Sequence, residues 1–204
     1  MNDLVRDVPV RRRMTGKERK RSIAATTVDM VARYGVRGAT TARIAAAEGI
    51  SERALYKHFT NRREMLLAAH DYVLETANRS LHEHRQGNAI EFLRAAAQLH
   101  WHSEHEFAYP LFEFFASSPE ENLREALKLR HEADVEFVKN IVEEGKTQGV
   151  LRPEVNSELA AWEFWAVCWA QDLGYMLGFD EFGSSGLASL MIERYLDSIS
   201  VQLS

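Results

Sequence analysis

The chain has 204 residues, of which 46% are hydrophobic and 27% charged, with a formal net charge of −5. This is enough for one large or two small domains with a real core, and no apolar run reaches the roughly 18 residues a membrane helix needs. Cys168 is the single cysteine, which excludes an internal disulfide and fits a reducing cytoplasm; no apolar stretch follows the N-terminal charges, so no secretory signal is expected.

The charge is unevenly placed. Residues 1–63 hold 15 Lys and Arg against 6 Asp and Glu, a balance of +9, whereas residues 64–204 hold 10 against 24, a balance of −14. A basic third on an acidic body suggests one end facing a polyanion and a remainder that the polyanion repels.

Residues 1–15 lack apolar periodicity and contain Arg11, Arg12 and Arg13. They read as an arm, either an electrostatic tether to phosphate or a solvated tail. Residues 17–34 read as the first helix: Ile23, Thr27, Met30 or Val31, and Tyr34 recur at three- and four-residue steps. Gly35 follows as a stop. Lys17, Arg19, Lys20 and Arg21 crowd the start of that helix against its dipole, which either a nearby phosphate or plain solvation would accommodate.

Residues 40–59 read TTARIAAAEGISERALYKHF. Thr40 or Thr41 can cap a short helix whose inner side carries Ile44 and Ala45. Gly49 supplies a sharp turn, and Ser51 can cap a second helix expected over residues 52–58. Leu55 and Phe59, four apart, point inward. Glu52, Arg53, Ala54, Tyr56, Lys57 and His58 are left as a polar, cationic outer face. This is the layout of a helix-turn-helix.

From Gly35 to Leu66 the string resembles the DNA-binding domain of the TetR family of transcriptional regulators. The matching features are Tyr34-Gly35, Thr40 four residues before Ile44-Ala45, Gly49-Ile50-Ser51, Leu55-Tyr56, His58-Phe59 and Arg62. The resemblance implies that Thr40 and Thr41 hold phosphate, that Tyr56, His58 and Arg62 grip the DNA backbone, and that Arg53, Ala54 and Lys57 enter the major groove. Arg43 would reach phosphate or a base edge, and Ser51 belongs to the same DNA-binding set. Arg53 and Ala54 depart from the commoner family pattern. Glu52, acidic where DNA is close, would either accept a hydrogen bond from cytosine or cap its own helix.

Asn61 starts a fourth helix running to about Gly87-Asn88, with Met65, Leu66, Ala69, Tyr72, Val73 and Leu81 along it. Residues 89–119 are rich in aromatics and read as two short helices broken near residues 103–106. Pro110 falls in the first turn of the second, and Pro119 opens the next helix, which runs to about residue 148. Leu123, Leu127, Phe137 and Ile141 mark its inner side. Arg130 and Asp134 fall on the same stripe, either paired with each other or forming a polar spot in a cavity. Trp101, Phe107, Tyr109, Phe112, Phe115, Phe137, Trp165 and Trp169 are large and irregular enough to favour a cavity over solid packing. The family resemblance implies an effector pocket in this region, and a mostly apolar small molecule with few polar anchors is expected there.

Residues 154–177 form a helix in which Leu159, Trp162, Ala166, Trp169, Leu173 and Met176 alternate steps of three and four, the spacing of a helix-on-helix seam. Residues 187–203 form the last helix, with Met191, Tyr195, Ile199 and Leu203 aligned. These two helices carry too much apolar surface for one core. The resemblance implies that they pair with their copies in a homodimer, through Leu159, Trp162, Ala166, Leu173, Met191, Tyr195 and Ile199.

His100, His102 and His105 invite a metal reading, but only His102 and His105 share a helical face and no further cluster stands near them in sequence; no metal and no cofactor are expected. No phosphate-binding loop, HExxH, GxSxG or dinucleotide fingerprint occurs, so no enzyme is expected. The expected fold is all-α, about nine helices: a helix-turn-helix DNA-binding domain with its arm (residues 1–63) and a helical effector-binding and dimerisation domain (residues 64–204). The expected function is a cytoplasmic, ligand-responsive transcriptional regulator, a repressor released from its operator by a small molecule. The alternative is a small-molecule-binding α-helical protein or enzyme with a vestigial helix-turn-helix.

Overall fold

A computed structural model describes residues 14–83, 87–103, 107–117, 122–179 and 186–202, without the side chains of residues 77–83 and 101–103. The arginines of the expected arm, the Leu81, Trp101 and His102 side chains, and His105, Pro119 and Leu203 lie outside the described residues. Within them the fold is all-α. Nine helices follow in order: α1 (Gly16–Gly38), α2 (Thr41–Glu48), α3 (Glu52–Leu55), α4 (Arg62–Glu83), α5 (Ala89–Ser103), α6 (Ala108–Ser117), α7 (Arg124–Thr147), α8 (Ser157–Met176) and α9 (Leu187–Ile199). Extended pairing is limited, among the described residues, to an isolated bridge between Leu151 and Ser200.

Thr15 belongs to the start of α1 rather than to an arm. Its hydroxyl accepts from the Glu18 amide while the Glu18 carboxylate accepts from the Thr15 amide, a capping box. The bond from the Thr15 amide, with a further one from the Thr15 hydroxyl, holds the Glu18 carboxyl below the usual carboxylate range. Gly35 breaks α1 with φ 68° and ψ 169°, and a further turn continues to Gly38. A side chain there would be strained by the positive φ. Three of the four cations at the start of α1 have acidic partners within the chain: Arg19 with Glu48, Lys20 with Glu64 and Arg21 with Glu75. Lys20 and Arg21 also lie over the rings of Phe59 and Tyr72. Intramolecular pairing thus engages three of the four cations for which the sequence left phosphate and plain solvation open.

Apolar residues gather in two cores. The first joins Ile23, Val31, Ile44, Leu55 and Phe59 to Met65, Leu66 and Val73 of α4, and also to Phe114, Leu123 and Leu127. It therefore crosses residue 63 and draws in α6 and α7. The second joins Phe92, Leu93, Ile141, Val142, Phe164, Cys168, Tyr195, Leu196 and Ile199. The α7 helix begins at Arg124, later than expected, after Asn122 takes a positive φ.

Polar ties fasten α4 to the body. Arg130 pairs with Asp71 of α4 rather than with Asp134, and Arg63 Nε donates to the Asn122 carbonyl at 3.0 Å. Between these ties His70 is fully buried, edge-on to Phe114 and His131. Neither of its ring nitrogens has a hydrogen-bond partner among the described residues.

Burial pushes the His70 pKa down to about 3, and the same effect takes His131 to about 4. Both rings are neutral in the fold at neutral pH. Their contribution to stability is complete above pH 6.5, where the unfolded rings are neutral too. It is lost on acidification towards pH 3–4, because the unfolded state takes up protons first. Unfolding free energy should fall by up to about 1.4 kcal/mol per pH unit per ring in that window. His70→Leu should flatten the slope in denaturant titrations; an unchanged slope would exclude His70 as its source.

Candidate nucleic-acid interface and internal cavity

Local capping builds the reading unit. The Thr40 side chain accepts from the Arg43 amide, and Gly49 closes α2 at φ 66° and ψ 31°, a left-handed turn. The Ser51 side chain then accepts from the Ala54 amide and starts α3. Regular helix ends at Leu55, earlier than the expected residue 58. The amides of Lys57 and His58 bond three residues back, to Ala54 and Leu55, a tightened last turn. The face survives this shortening: Leu55 and Phe59 are buried, whereas Arg53, Tyr56 and Lys57 are exposed and Ala54 and His58 half-exposed.

Several predicted DNA-contacting residues have structural partners. The Thr41 hydroxyl donates to Glu52 Oε2 at 2.6 Å, so Glu52 bridges α2 and α3. Arg43 donates to the Gly38 carbonyl at 2.8 Å and stacks on Tyr34. Arg62 departs most from its predicted role. Its guanidinium donates to the Val36 and Ala39 carbonyls, holding the α1–α2 turn rather than reaching outward. Glu48, unremarked in the sequence, is a further anchor. Its buried carboxylate accepts from Ser22, Thr26 and Arg19 and so fastens α2 to α1. Serine and threonine four apart on α1 were its only signal, and they read equally well as solvent-facing.

The aromatic residues divide between two concavities, where the sequence suggested one pocket. An enclosed cavity of about 60 Å³ is lined by Phe92, Phe107, Phe137, Phe164, Trp165 and Cys168, with Val73 and Leu74 from α4 and Ala108 and Leu111 from α6. Among the described residues His100, Asp134 and Asp172, with the Cys168 thiol, are its ionisable lining groups. An open groove of about 430 Å³ contains Phe112, Phe115, Trp162 and Trp169, beside Arg124, Lys128, His131 and Glu132. Tyr109 belongs to neither. It is exposed, and its hydroxyl donates to the Met176 carbonyl at 2.9 Å, tying α6 to the end of α8.

On α8, Leu159, Trp162, Ala166 and Leu173 are all exposed, while Ala160, Ala161, Phe164, Cys168 and Asp172 face the core. On α9 the predicted alignment needs correction. Tyr195 and Ile199 are buried in the protomer's own core, with the Tyr195 hydroxyl donating to the Ala160 carbonyl at 2.9 Å, and Met191 is half-buried. The open side of α9 instead carries Leu187, Leu190, Arg194 and Ser198, continued by Val201. Sequence periodicity finds both stripes of such a helix but cannot say which one the protomer keeps.

A capped helix, a glycine turn and a short helix presenting Arg53, Tyr56 and Lys57 above a buried Leu55 define a helix-turn-helix DNA-binding transcriptional regulator. Residues 23–69, from within α1 to the first turns of α4, match the family model described as bacterial regulatory proteins, tetR family. The fold is similar to that of solved regulators throughout. A TetR-family regulator from Rhodococcus sp. aligns at TM-score 0.78 and 21% identity, covering 89% of this chain and 98% of that one. One from Chloroflexus aurantiacus J-10-FL aligns at 0.78 and 19%, covering 92% and 98%. A regulator from Saccharomonospora viridis, crystallised in complex with choline, aligns at 0.71 and 19%, covering 91% and 100%. No curated protein sequence matches the chain. No helix among the described residues is long and apolar enough to cross a membrane.

Proposed function

We propose that this protein is a cytoplasmic, homodimeric repressor without enzymatic activity, released from its operator when a small molecule enters the enclosed cavity. The carrying observation is the exposed Arg53, Tyr56 and Lys57 set on a buried Leu55 and Phe59. Residues 1–63 act as the reading unit and residues 64–204 as the effector-binding and dimerisation unit. Paired recognition helices meet a roughly palindromic operator at successive major grooves. The exposed apolar faces of α8 and α9 support pairing with a second copy, and the Trp162 groove lies on the surface that pairing would cover.

The cavity is far smaller than the roughly 300–1,000 Å³ of typical ligand sites, so an effector has to push its walls apart. Two of those walls also hold the reading unit. On α6 and just before it, Phe107, Ala108 and Leu111 line the cavity, while Phe114 sits in the first core and Glu113 accepts from the Val36 amide at 3.1 Å. On α4, Val73 and Leu74 line it, three and four residues after His70. Expansion therefore displaces the supports of α1 and α2. The effector shifts the equilibrium only through tighter binding to the displaced state. A choline complex of a protein with this fold supports a small-molecule role for such a body.

The test is a gel shift with the DNA upstream of the protein's own gene. Binding should be sequence-specific and weaken steeply with salt; absent or salt-insensitive binding at every site tried would overturn the reading.

A further inference from the structure

The enclosed cavity has an unusual charge for its lining. Its walls are aromatic and aliphatic, yet Asp134 and Asp172 are both among its lining residues, at 9% and 1% exposure. Burying a carboxylate costs several kcal/mol unless a partner compensates it. Asp172 Oδ1 lies 3.1 Å from His100 Nε2, but Asp172 Oδ2 is buried with no hydrogen-bond partner among the described residues.

No lysine or arginine lines the cavity among the described residues. Arg130, one turn before Asp134, is committed to Asp71. His131, 3.7 Å from Asp134, is held neutral by burial. Among the described lining residues the basic group is His100, and it faces Asp172. Phe137, Phe164 and Trp165 line the same cavity, and aromatic rings attract cations through their quadrupoles.

We infer that the effector is an organic cation, a protonated or quaternary amine on an apolar body, with Asp172 as its counter-ion and Asp134 as a second carboxylate beside it. This rests on the effector reading of the cavity and names the ligand class. The positive group replaces a missing partner for Asp172, the aromatic walls take its flanks, and the apolar body fills the space that opens between α4 and α6.

Calorimetry on the full-length protein tests the inference with three probes of one shape and different charge: benzylammonium, benzyl alcohol and benzoate, with the phenylpropyl homologues as a larger set. The expected order is cation over alcohol over carboxylate in at least one set. Asp172→Asn, a substitution of the same size, should weaken the cation by roughly tenfold or more while leaving the alcohol unchanged. A melt of the variant, expected at or above the wild-type temperature, reports that it folds. Equal affinity of cation and alcohol, preference for the carboxylate, an unchanged cation affinity in Asp172→Asn, or binding of no probe in either set would overturn the inference. Operator binding, measured separately by gel shift, would stand in all four cases. Its loss in the unliganded wild type would instead remove the regulator reading.

Discussion

Replacing Tyr56 and Lys57 together by alanine should weaken operator binding at least about a hundredfold, because each group reaches DNA twice in a dimer and base-edge or phosphate contacts are typically worth about 1–3 kcal/mol each. Both side chains are exposed, Tyr56 at 49%, and neither belongs to either apolar core. The melting temperature and effector binding should therefore be unchanged. Loss of one lysine per subunit should also reduce the salt slope of binding by about 2. Fluorescence anisotropy on labelled operator measures both quantities. Arg62→Ala should behave differently, although sequence reasoning placed it in the same set: it removes the clasp on Val36 and Ala39, and so lowers thermal stability as well as affinity. Unaltered operator binding in the double variant would remove α3 and its last turn from the interface.

Leu173→Glu, with Trp162→Glu as an independent variant, should convert the protein to monomers. Both residues are nearly half exposed in the protomer, at 47% and 46%. The folded subunit tolerates a charge there, and a paired one does not. Around a two-fold axis each substitution introduces two unpaired carboxylates, and burying each costs several kcal/mol. Sedimentation at micromolar concentration should show the monomer mass, and affinity for a palindromic site should collapse with it, since a single half-site gives up the second reading head. Tyr195→Phe is the contrasting control. It deletes the hydroxyl bond to the Ala160 carbonyl inside the protomer, costing about 1 kcal/mol of stability without changing mass. Dimers persisting in both glutamate variants would place the interface elsewhere.

Much of the fold was legible because its signals are local. Gly49 between two hydroxyl caps specifies a tight turn between helices, and the alternating threes and fours of α8 specify two faces. Long-range polar chemistry was not legible. That Arg62 turns towards Val36 and Ala39, that Arg130 chooses Asp71 over Asp134, and that Glu48 gathers Ser22, Thr26 and Arg19 depend on which helices become neighbours. The aromatic block shows the same limit. Composition alone suggested one pocket, but the rotation of α6 about its axis sends Phe107 and Leu111 to an interior cavity and Phe112 and Phe115 to an outer groove. Rotation of α9 likewise hides Tyr195 and Ile199 and leaves Leu187 and Leu190 outside. The charge of the cavity was half visible in Asp134, whereas nothing in the sequence singled out Asp172.

The first apolar core has a consequence for how such a molecule can be divided. Phe114, Leu123 and Leu127 supply part of the packing on which Ile23, Ile44 and Leu55 rest, and Met65 and Leu66 lie beyond the helix-turn-helix as well. A fragment cut after residue 63 would forfeit these side chains and expose the apolar surface they cover, so the head has no folding autonomy to speak of. Dependence of that kind is itself a means of signalling. A module that cannot stand without its scaffold registers every strain the scaffold bears.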